Sequence, residues 1–286
     1  MPLDDGSPVL KTNLGLQFLE QSGSHAYNLI TPRELEATDV DTSPKDLTFV
    51  ITRGPDHGRL ENTANPTIAI YSFSQDDIDH EVIRYVLTNQ DGVTEDMFTF
   101  DIVDSKPNRV SDNIFHIMWS LIDFVVPEYN VTESAGVIRV PIVKKGNLKQ
   151  YSVVTCKTSP DTASYTPTFT RPGDQDYVEY SGQIQFDAWQ DMKVCSIIIN
   201  DDSIYEGPEK FSVELVHPVY SLIGTRQKTT VVIFDEEDKP EIQFKDPVYY
   251  VNETSKVLSA VLVRTGSIAL YWYTTVQVGL VFSTSQ

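Results

Sequence analysis

Acidic residues recur in this sequence where apolar, strand-like runs end, and such a pattern could bind a cation. They form four clusters: Glu133; Asp174 with Asp176; Asp201, Asp202, Glu206 and Glu209; and Asp235, Glu236, Glu237 and Asp238. Carboxylates that a fold brings together repel one another unless a cation lies among them. Ca²⁺ accepts roughly 6–8 oxygen ligands in a flexible geometry. The clusters therefore indicate a calcium site, although loops between strands are also polar where no ligand binds.

Other chemistries are less well supported by these residues. Zinc and iron sites use His or Cys, and neither residue type lies near the acidic loops. The histidines are scattered without metal-binding spacing: His25, His57, His80, His116 and His217. A Gly-rich phosphate loop and a Gly-x-Ser-x-Gly motif are both absent from the sequence. Paired carboxylates could serve a glycosidase, but a crowded set of acids is better explained by a cation, so we predict a non-catalytic protein.

The net charge restricts the possible partners. The 286 residues include 41 acidic and 22 basic side chains, which gives a formal charge of −19. Such a surface repels nucleic acid and anionic lipid and suits divalent cations, although many proteins are acidic only for solubility.

No stretch reaches the roughly 20 apolar residues of a membrane-spanning helix, so we expect no membrane insertion within this chain. The N-terminus lacks the features of a signal peptide, which indicates either a cytosolic protein or a segment of a longer chain.

The elements that must position these acids are predicted to be β-strands. Short alternating or apolar runs are separated by turns rich in Gly, Pro, Asp and Asn, as is typical of β-sandwiches. No convincing helix is present, and polar stretches at 104–112 and 236–242 separate the strand-rich regions. The pattern predicts an all-β chain of tandem antiparallel sandwiches.

An internal repeat supports this division. Residues 122–146 and 242–266 share apolar residues at the same places, 120 residues apart, together with one glutamate, Glu133 and then Glu253. The spacing matches the length of one module. We therefore predict a module at 118–238 and the start of a second, truncated copy at 239–286.

The second module resembles the Calx-beta module in several separated motifs that occur in the same order. The motifs are "NVTESAGVIRVPIVKKG", "GDQDYV", "IQF", "IIINDDSIYEGPEKFSVEL" and "TTVVIFDEED". This module is an immunoglobulin-like calcium-binding sandwich of sodium–calcium exchangers, integrin β4 and large matrix proteins. The resemblance implies Ca²⁺ as the ligand. It implies these calcium ligands: Glu133, Asp176, Asp201, Asp202, Glu206, Asp235, Glu236 and Glu237.

The first part of the chain, residues 7–110, resembles the chondroitin-sulphate-proteoglycan (CSPG) repeat of the NG2 type, a cadherin-like β module. The motifs that carry this resemblance are "LEATDVD", "LTFVITRGPDHGRL", "FSQDDIDHEVIRYV" and "DMFTFDIVD". An Asp-x-Asp of the kind that binds calcium in cadherin-like folds gives a weak second site with these candidates: Asp39, Asp41, Asp77 and Asp79. The alternative for these residues is turn and helix-cap chemistry, which we favour.

A CSPG repeat followed directly by Calx-beta modules resembles the Fras/Frem family of basement-membrane proteins. This implies an extracellular fragment of a longer protein, with matrix or cell-surface proteins and possibly matrix glycans as partners. Cys156 and Cys195, each in a predicted strand of one module, could then form a disulfide, with buried free thiols as the alternative. Asn130 and Asn252 begin N-glycosylation triplets. The rival hypothesis is a cytosolic calcium-sensing Calx-beta region that regulates a transporter or signalling protein.

Overall fold

The computed structural model describes residues 6–23, 25–89, 91–106, 108–165, 175–202, 204–252, 254–267 and 275–278. Almost all regular structure in these ranges is β-strand, and most strands pair in antiparallel fashion. The predicted all-β fold of cadherin-like and immunoglobulin-like sandwiches is therefore confirmed. In the described part of the chain, no helix is long and apolar enough to cross a membrane.

The first module contains ten strands and one short helix in its described residues. They are β1 (Val9–Asn13), β2 (Glu20–Ser22), β3 (His25–Leu29), β4 (Leu35–Thr38), β5 (Thr48–Arg53), β6 (Gly58–Asn62), β7 (Ser72–Ser74), α1 (Gln75–Asp79), β8 (Ile83–Leu87), β9 (Glu95–Val103) and β10 (Arg109–Met118). One sheet has the order β10-β9-β5-β7, a second has the order β2-β3-β8-β6, and β1 pairs with β4. Inward-facing aromatic side chains such as Phe49, Phe98 and Phe115 are fully buried between the sheets.

The turn at "GPDHGRL" is held by a buried carboxylate. Asp96 is 8% exposed and accepts hydrogen bonds from the backbone N–H groups of Asp56 and His57, each at 2.9 Å. It also accepts one from the Tyr85 hydroxyl at 2.9 Å. A Cβ atom on Gly58 would lie 2.4 Å from the Tyr85 ring, so the close approach requires glycine. The motif thus has a structural explanation in which the backbone of His57 takes part.

The second module is a two-sheet sandwich. Its strands are β11 (Ser120–Phe124), β12 (Glu128–Thr132), β13 (Val137–Gly146), β14 (Ser152–Pro160), β15 (Ser181–Phe186), β16 (Met192–Ile198), β17 (Glu209–Val219), β18 (Leu222–Ile223) and β19 (Lys228–Phe234), with a 3-10 turn at Glu133–Ala135. The sheets have the orders β16-β13-β11-β18 and β12-β19-β17-β14-β15. Cys156 on β14 and Cys195 on β16 form a disulfide that joins the two sheets across the core.

The first two modules are joined through a buried tryptophan and through contacts around it, among them a hydrogen bond from the Ile223 N–H to Gln21 at 3.0 Å and a contact between the rings of Phe18 and Tyr220. The chain leaves β10 at Met118 and enters β11 at Ser120, and Trp119 between them is fully buried. The Trp119 carbonyl accepts a hydrogen bond from the Asn147 backbone N–H at 2.9 Å. The described part of the polar stretch 104–112 belongs to the connection between β9 and β10 and to the first residues of β10, because β10 pairs with β9 from Arg109 onward. The passage between these modules is therefore short and tightly packed.

A short hairpin follows the second module. It consists of β20 (Glu241–Phe244) and β21 (Leu262–Thr265), which pair in antiparallel fashion. The Ser267 backbone N–H donates to the Asp238 carbonyl at 2.7 Å and so attaches the hairpin to the end of the second module. Glu253, the repeat counterpart of Glu133, lies outside the described residues, as does Asp174.

Candidate metal centre

Parallel pairing of β12 and β19 brings two acidic segments to one pole of the second module. Thr132, the last residue of β12, lies opposite Phe234, the last residue of β19. The next residues along the chain are Glu133 and Asp235, so both acids lie at the same end of the sandwich. β16 also ends there, because its Ile198 pairs with the first residue of β13. We call this end the acidic pole.

Three acids of the acidic pole converge on one point. Glu133, Asp235 and Asp238 each place one carboxylate oxygen within 4.8 Å of the others, and we call them the first carboxylate group. They line a cleft of about 110 Å³ that Asp201 and Glu237 also border. Asp235 is only 7% exposed. The arrangement gives a small cleft whose walls are rich in oxygen ligands.

Backbone hydrogen bonds orient these carboxylates. Asp235 accepts from the Glu206 N–H at 3.0 Å with one oxygen and from the Asp238 N–H at 3.2 Å with the other. Glu133 accepts from the Asp202 N–H at 3.2 Å. The loop after β16 and the turn after β19 are therefore folded around the same carboxylates, and their positions depend on one another.

The electrostatics of the first carboxylate group favour a cation. Burial raises the pKa of Glu133 to about 8, and the negative charges of Asp235, Asp202 and Asp201 contribute to this rise. Burial and neighbouring acids likewise raise the pKa of Asp202 and of Asp238. A carboxyl group whose pKa is raised this way is held in a negative potential that a bound cation would relieve.

A second carboxylate group lies at the same pole and consists of Asp176, Glu206 and Glu209, again with one oxygen from each within 4.8 Å. Asp176 is 9% exposed and accepts a hydrogen bond from the Ser164 N–H at 2.6 Å. Burial raises the pKa of Glu209 to about 8, helped by its hydrogen bond to Asp176 and by the charges of Asp176 and Glu206. A divalent cation could take the place between these three carboxylates and neutralise their charge.

The structure distributes the predicted ligands unevenly. Glu133 and Asp235 belong to the first carboxylate group, and Asp176 and Glu206 belong to the second. Asp201 and Glu237 border the cleft. Asp202 accepts a hydrogen bond from the Ile204 N–H at 2.9 Å, which closes the loop after β16.

Glu236, like Asp202, is a predicted ligand that belongs to neither carboxylate group and does not line the cleft. Its side chain is 64% exposed and forms an ion pair with Lys239 at 3.2 Å. The prediction omitted Asp238 and Glu209, which the structure places in the two carboxylate groups. Asp238 and Glu209 lie in the same acidic segments as predicted ligands. This closeness in sequence is the signal by which both could have been added to the predicted ligand set.

The acids proposed for a weak second site have local structural roles. Asp39 accepts hydrogen bonds from the backbone N–H groups of Asp41 and Thr42, and the first of these lowers its pKa most. Asp77 caps α1 by accepting from the Ser74 N–H and hydroxyl. Asp79 accepts from the Gln75 amide at 2.8 Å. Among the described residues, the groups of three possible ligands include none of these acids.

The two glycosylation candidates are exposed. Asn130 lies on β12, which is the edge strand of its sheet, and its side chain is exposed. Asn252 is also exposed and lies between β20 and β21. Both positions are accessible to a modifying enzyme.

Comparisons with known proteins agree with this architecture. A cadherin-like family matches residues 8–119, and the Calx-beta domain family matches residues 116–237 and 235–283. Extracellular matrix organizing protein FRAS1 of Homo sapiens is 47% identical over 268 residues, which are 93% of this chain and 7% of that protein. FRAS1-related extracellular matrix protein 1 of Homo sapiens is 33% identical over 73% of this chain and 9% of that protein. The crystal structure of the apo-form Calx CBD1 domain is 27% identical and covers 41% of this chain and 98% of that domain, with a TM-score of 0.37.

Proposed function

This chain belongs to the Calx-beta family, with a cadherin-like module ahead of its Calx-beta module, and we propose that it is a calcium-binding structural segment of the extracellular matrix. Its homology to FRAS1 makes it a matrix module with an extracellular location. The chain spans 7% of the length of that relative. Its partners under this proposal are other matrix or cell-surface proteins and matrix glycans, and its role is adhesive rather than catalytic.

The observation that carries the proposal is the meeting of two carboxylate groups at the acidic pole. Every candidate ligand there is an oxygen atom, which is the donor that Ca²⁺ prefers, whereas zinc sites require His or Cys. Glu133, Asp235 and Asp238 would hold one ion, and Asp176, Glu206 and Glu209 would hold another. A bound cation would neutralise the potential that raises the pKa values of Glu133 and Glu209.

Calcium would also act on the connection to the following hairpin. The Asp238 carboxylate belongs to the first carboxylate group, while the carbonyl of the same residue accepts the hydrogen bond from Ser267. An ion held by this carboxylate would fix the turn from which β20 begins. Neither carboxylate group includes a residue next to Trp119, so calcium bound by these groups would act on the second junction.

The alternative, a cytosolic calcium sensor that regulates a transporter or signalling protein, is less well supported. Both cysteines of the chain form one disulfide, and such bonds persist in oxidising compartments rather than in the cytosol. Thiol titration of the native protein distinguishes the two hypotheses, because free thiols would favour the cytosolic one.

Calorimetric titration of the whole chain with CaCl₂, after treatment with EDTA and dialysis, tests the calcium proposal. We expect heat of binding and a higher melting temperature with calcium, and a much smaller response to Mg²⁺, which dehydrates reluctantly and requires octahedral geometry. Absence of heat together with an unchanged melting temperature at millimolar calcium would contradict the proposal.

A further inference from the structure

A cleft on the first module, remote from the acids discussed so far, is lined by basic side chains. It has a volume of about 330 Å³ and lies on the outer face of the β2-β3-β8-β6 sheet. The lining residues are Ser22, His25, Tyr27, Arg59, Glu61, Pro66, Thr67, Arg84 and Val86. We call it the arginine cleft.

Two arginines of the arginine cleft are held in place by one buried carboxylate. Glu61 is 1% exposed and accepts hydrogen bonds from Arg59 Nε and Arg84 Nε, each at 2.8 Å. Arg84 also lies over the Tyr27 ring, 5.1 Å from its centroid. Burial alone would raise the pKa of Glu61, but the hydrogen bonds from Arg84 and Arg59 outweigh it and lower the pKa. Glu61 therefore stays ionised and fixes both guanidinium groups.

This arrangement leaves positive charge and hydrogen-bond donors in excess. Two guanidinium groups face one carboxylate, so the set carries one net positive charge in a chain whose formal charge is −19. The hydrogen bonds to Glu61 use Nε of Arg59 together with Nε and Nη2 of Arg84. Among the bonds of the described residues, two nitrogens of Arg59 and one of Arg84 remain for another acceptor. The arginine side chains are 26% and 24% exposed, so these donors are accessible but largely desolvated.

The wall of the arginine cleft contains a backbone in an unfavourable conformation. Thr67 has a φ of +72°, a region that β-branched residues rarely adopt. Its N–H donates to Glu61 at 2.8 Å, which places Thr67 at the edge of the cleft. Such strain persists where the surroundings impose it and is common at ligand sites.

We propose that the arginine cleft binds an anionic sugar of a matrix glycan, through a sulfate ester or a uronate carboxylate. Guanidinium groups form charge-assisted hydrogen bonds with such oxyanions. The hydroxyl groups of Ser22 and Thr67 at the cleft can pair with sugar hydroxyls. The proposal depends on the extracellular location and is independent of calcium.

The position of the arginine cleft favours a sugar over an acidic peptide. An extended peptide usually binds by adding a strand to a sheet edge. Tyr27 and Val86 lie opposite each other on β3 and β8, which are the two central strands of this sheet. Their backbone groups are paired with neighbouring strands, so the floor of the cleft offers side chains rather than a strand edge.

The test uses the whole chain in EDTA, so that failure of the calcium site cannot affect the result. The probes are a chondroitin sulfate hexasaccharide, its desulfated counterpart, which keeps the uronates, and a hexaglutamate peptide. NMR signals of the arginine Nε–H groups report binding without any substitution. We expect the signals of Arg59 and Arg84 to shift with at least one of the two glycans. Binding of both glycans identifies the uronate as the recognised group, and binding of the sulfated one alone identifies the sulfate.

A matched pair of variants tests the specificity of the arginine cleft. Arg59→Gln should weaken binding about tenfold or more, since it removes a charged donor. Arg53→Gln, which makes the same charge change at an exposed arginine paired with Asp56 at 2.7 Å, should change affinity by less than about twofold. Unshifted Arg59 and Arg84 signals with both glycans, equal weakening in the two variants, or equally tight binding of hexaglutamate would each overturn the proposal. Thermal unfolding shows whether each variant is folded.

Discussion

Replacing Asp235 by Asn should affect the calcium-free protein and the calcium-bound protein in opposite directions. The side chain is 7% exposed and lies in the first carboxylate group with Glu133 and Asp238. Asn has nearly the same shape and no charge. The substitution therefore removes repulsion when no ion is present and removes a ligand when calcium binds.

The magnitude follows from the distances. Two ionised carboxylates about 4.8 Å apart repel by about 3.5 kcal/mol at an effective dielectric constant of about 20. Glu133, whose pKa is about 8, is mostly protonated at neutral pH, so the repulsion that remains is mainly the one between Asp235 and Asp238, and water near Asp238 reduces it to roughly 2 kcal/mol. Asn keeps only one of the two acceptor oxygens that bond to Glu206 and Asp238, at a cost of about 1 kcal/mol. The variant in EDTA should therefore be about 1 kcal/mol more stable than the unchanged protein.

Calcium should reverse the order. An ion present at 100 times its Kd stabilises the fold by about 2.7 kcal/mol, and this gain should largely disappear in Asp235→Asn. The control is Glu236→Gln, which makes the same charge change at the next residue, where the exposed side chain pairs with Lys239 outside the cleft. Chemical denaturation of the three proteins, in EDTA and in excess calcium, gives the free energies of unfolding. The reasoning fails if Asp235→Asn is less stable than the unchanged protein in EDTA, or if both variants lose the same calcium response.

Three further predictions concern pH, the disulfide and the first module. In EDTA, the contribution of Glu133 to stability should be complete below about pH 4.5 and should fall by up to about 1.4 kcal/mol per pH unit toward pH 8, because the unfolded chain ionises this side chain above its ordinary pKa of 4.5 while the fold raises the pKa to about 8 and keeps it protonated. Denaturation at several pH values measures this, and excess calcium should flatten the curve. Replacing both Cys156 and Cys195 by Ala should lower the free energy of unfolding by about 3–4 kcal/mol, since the disulfide joins residues 39 apart in sequence. Equal free energies of unfolding for the unchanged protein and the double variant would refute the structural role of the bond. Asp96→Ala should lower the free energy of unfolding by more than about 3 kcal/mol, because three backbone N–H groups and one hydroxyl lose their acceptor, and Asp96→Asn should lower it by less. A melting temperature of the alanine variant close to that of the unchanged protein would contradict this.

The strands could be predicted because the order of apolar and polar residues within each short segment indicates a strand. The run 150–158 alternates apolar and polar side chains, and the structure has β14 at Ser152–Pro160 with alternating burial. The short helix α1 was not predicted, because its five residues are too few to show a period. Its start depends on the capping box between Ser74 and Asp77.

The ligand set was predicted less completely, for a different reason. The sequence places Asp235, Glu236, Glu237 and Asp238 side by side and cannot show which of them turn inward. The turn after β19 decides this, because the Asp238 N–H folds back onto Asp235 and directs Glu236 toward Lys239. Glu209 is the first residue of β17. It belongs to the second carboxylate group because the fold places it beside Asp176, which is distant in sequence.

The sequence by itself therefore determined the all-β architecture, the repeat and the acidic character of one pole, since periodicity and composition are local properties of the chain. The tertiary structure decided which carboxylates meet. Glu133 and Asp235 are about a hundred residues apart, and only the parallel pairing of β12 with β19 brings them together. Charge repulsion depends on distance in space, so the raised pKa of Glu133 and the cleft beside it exist only in the folded chain.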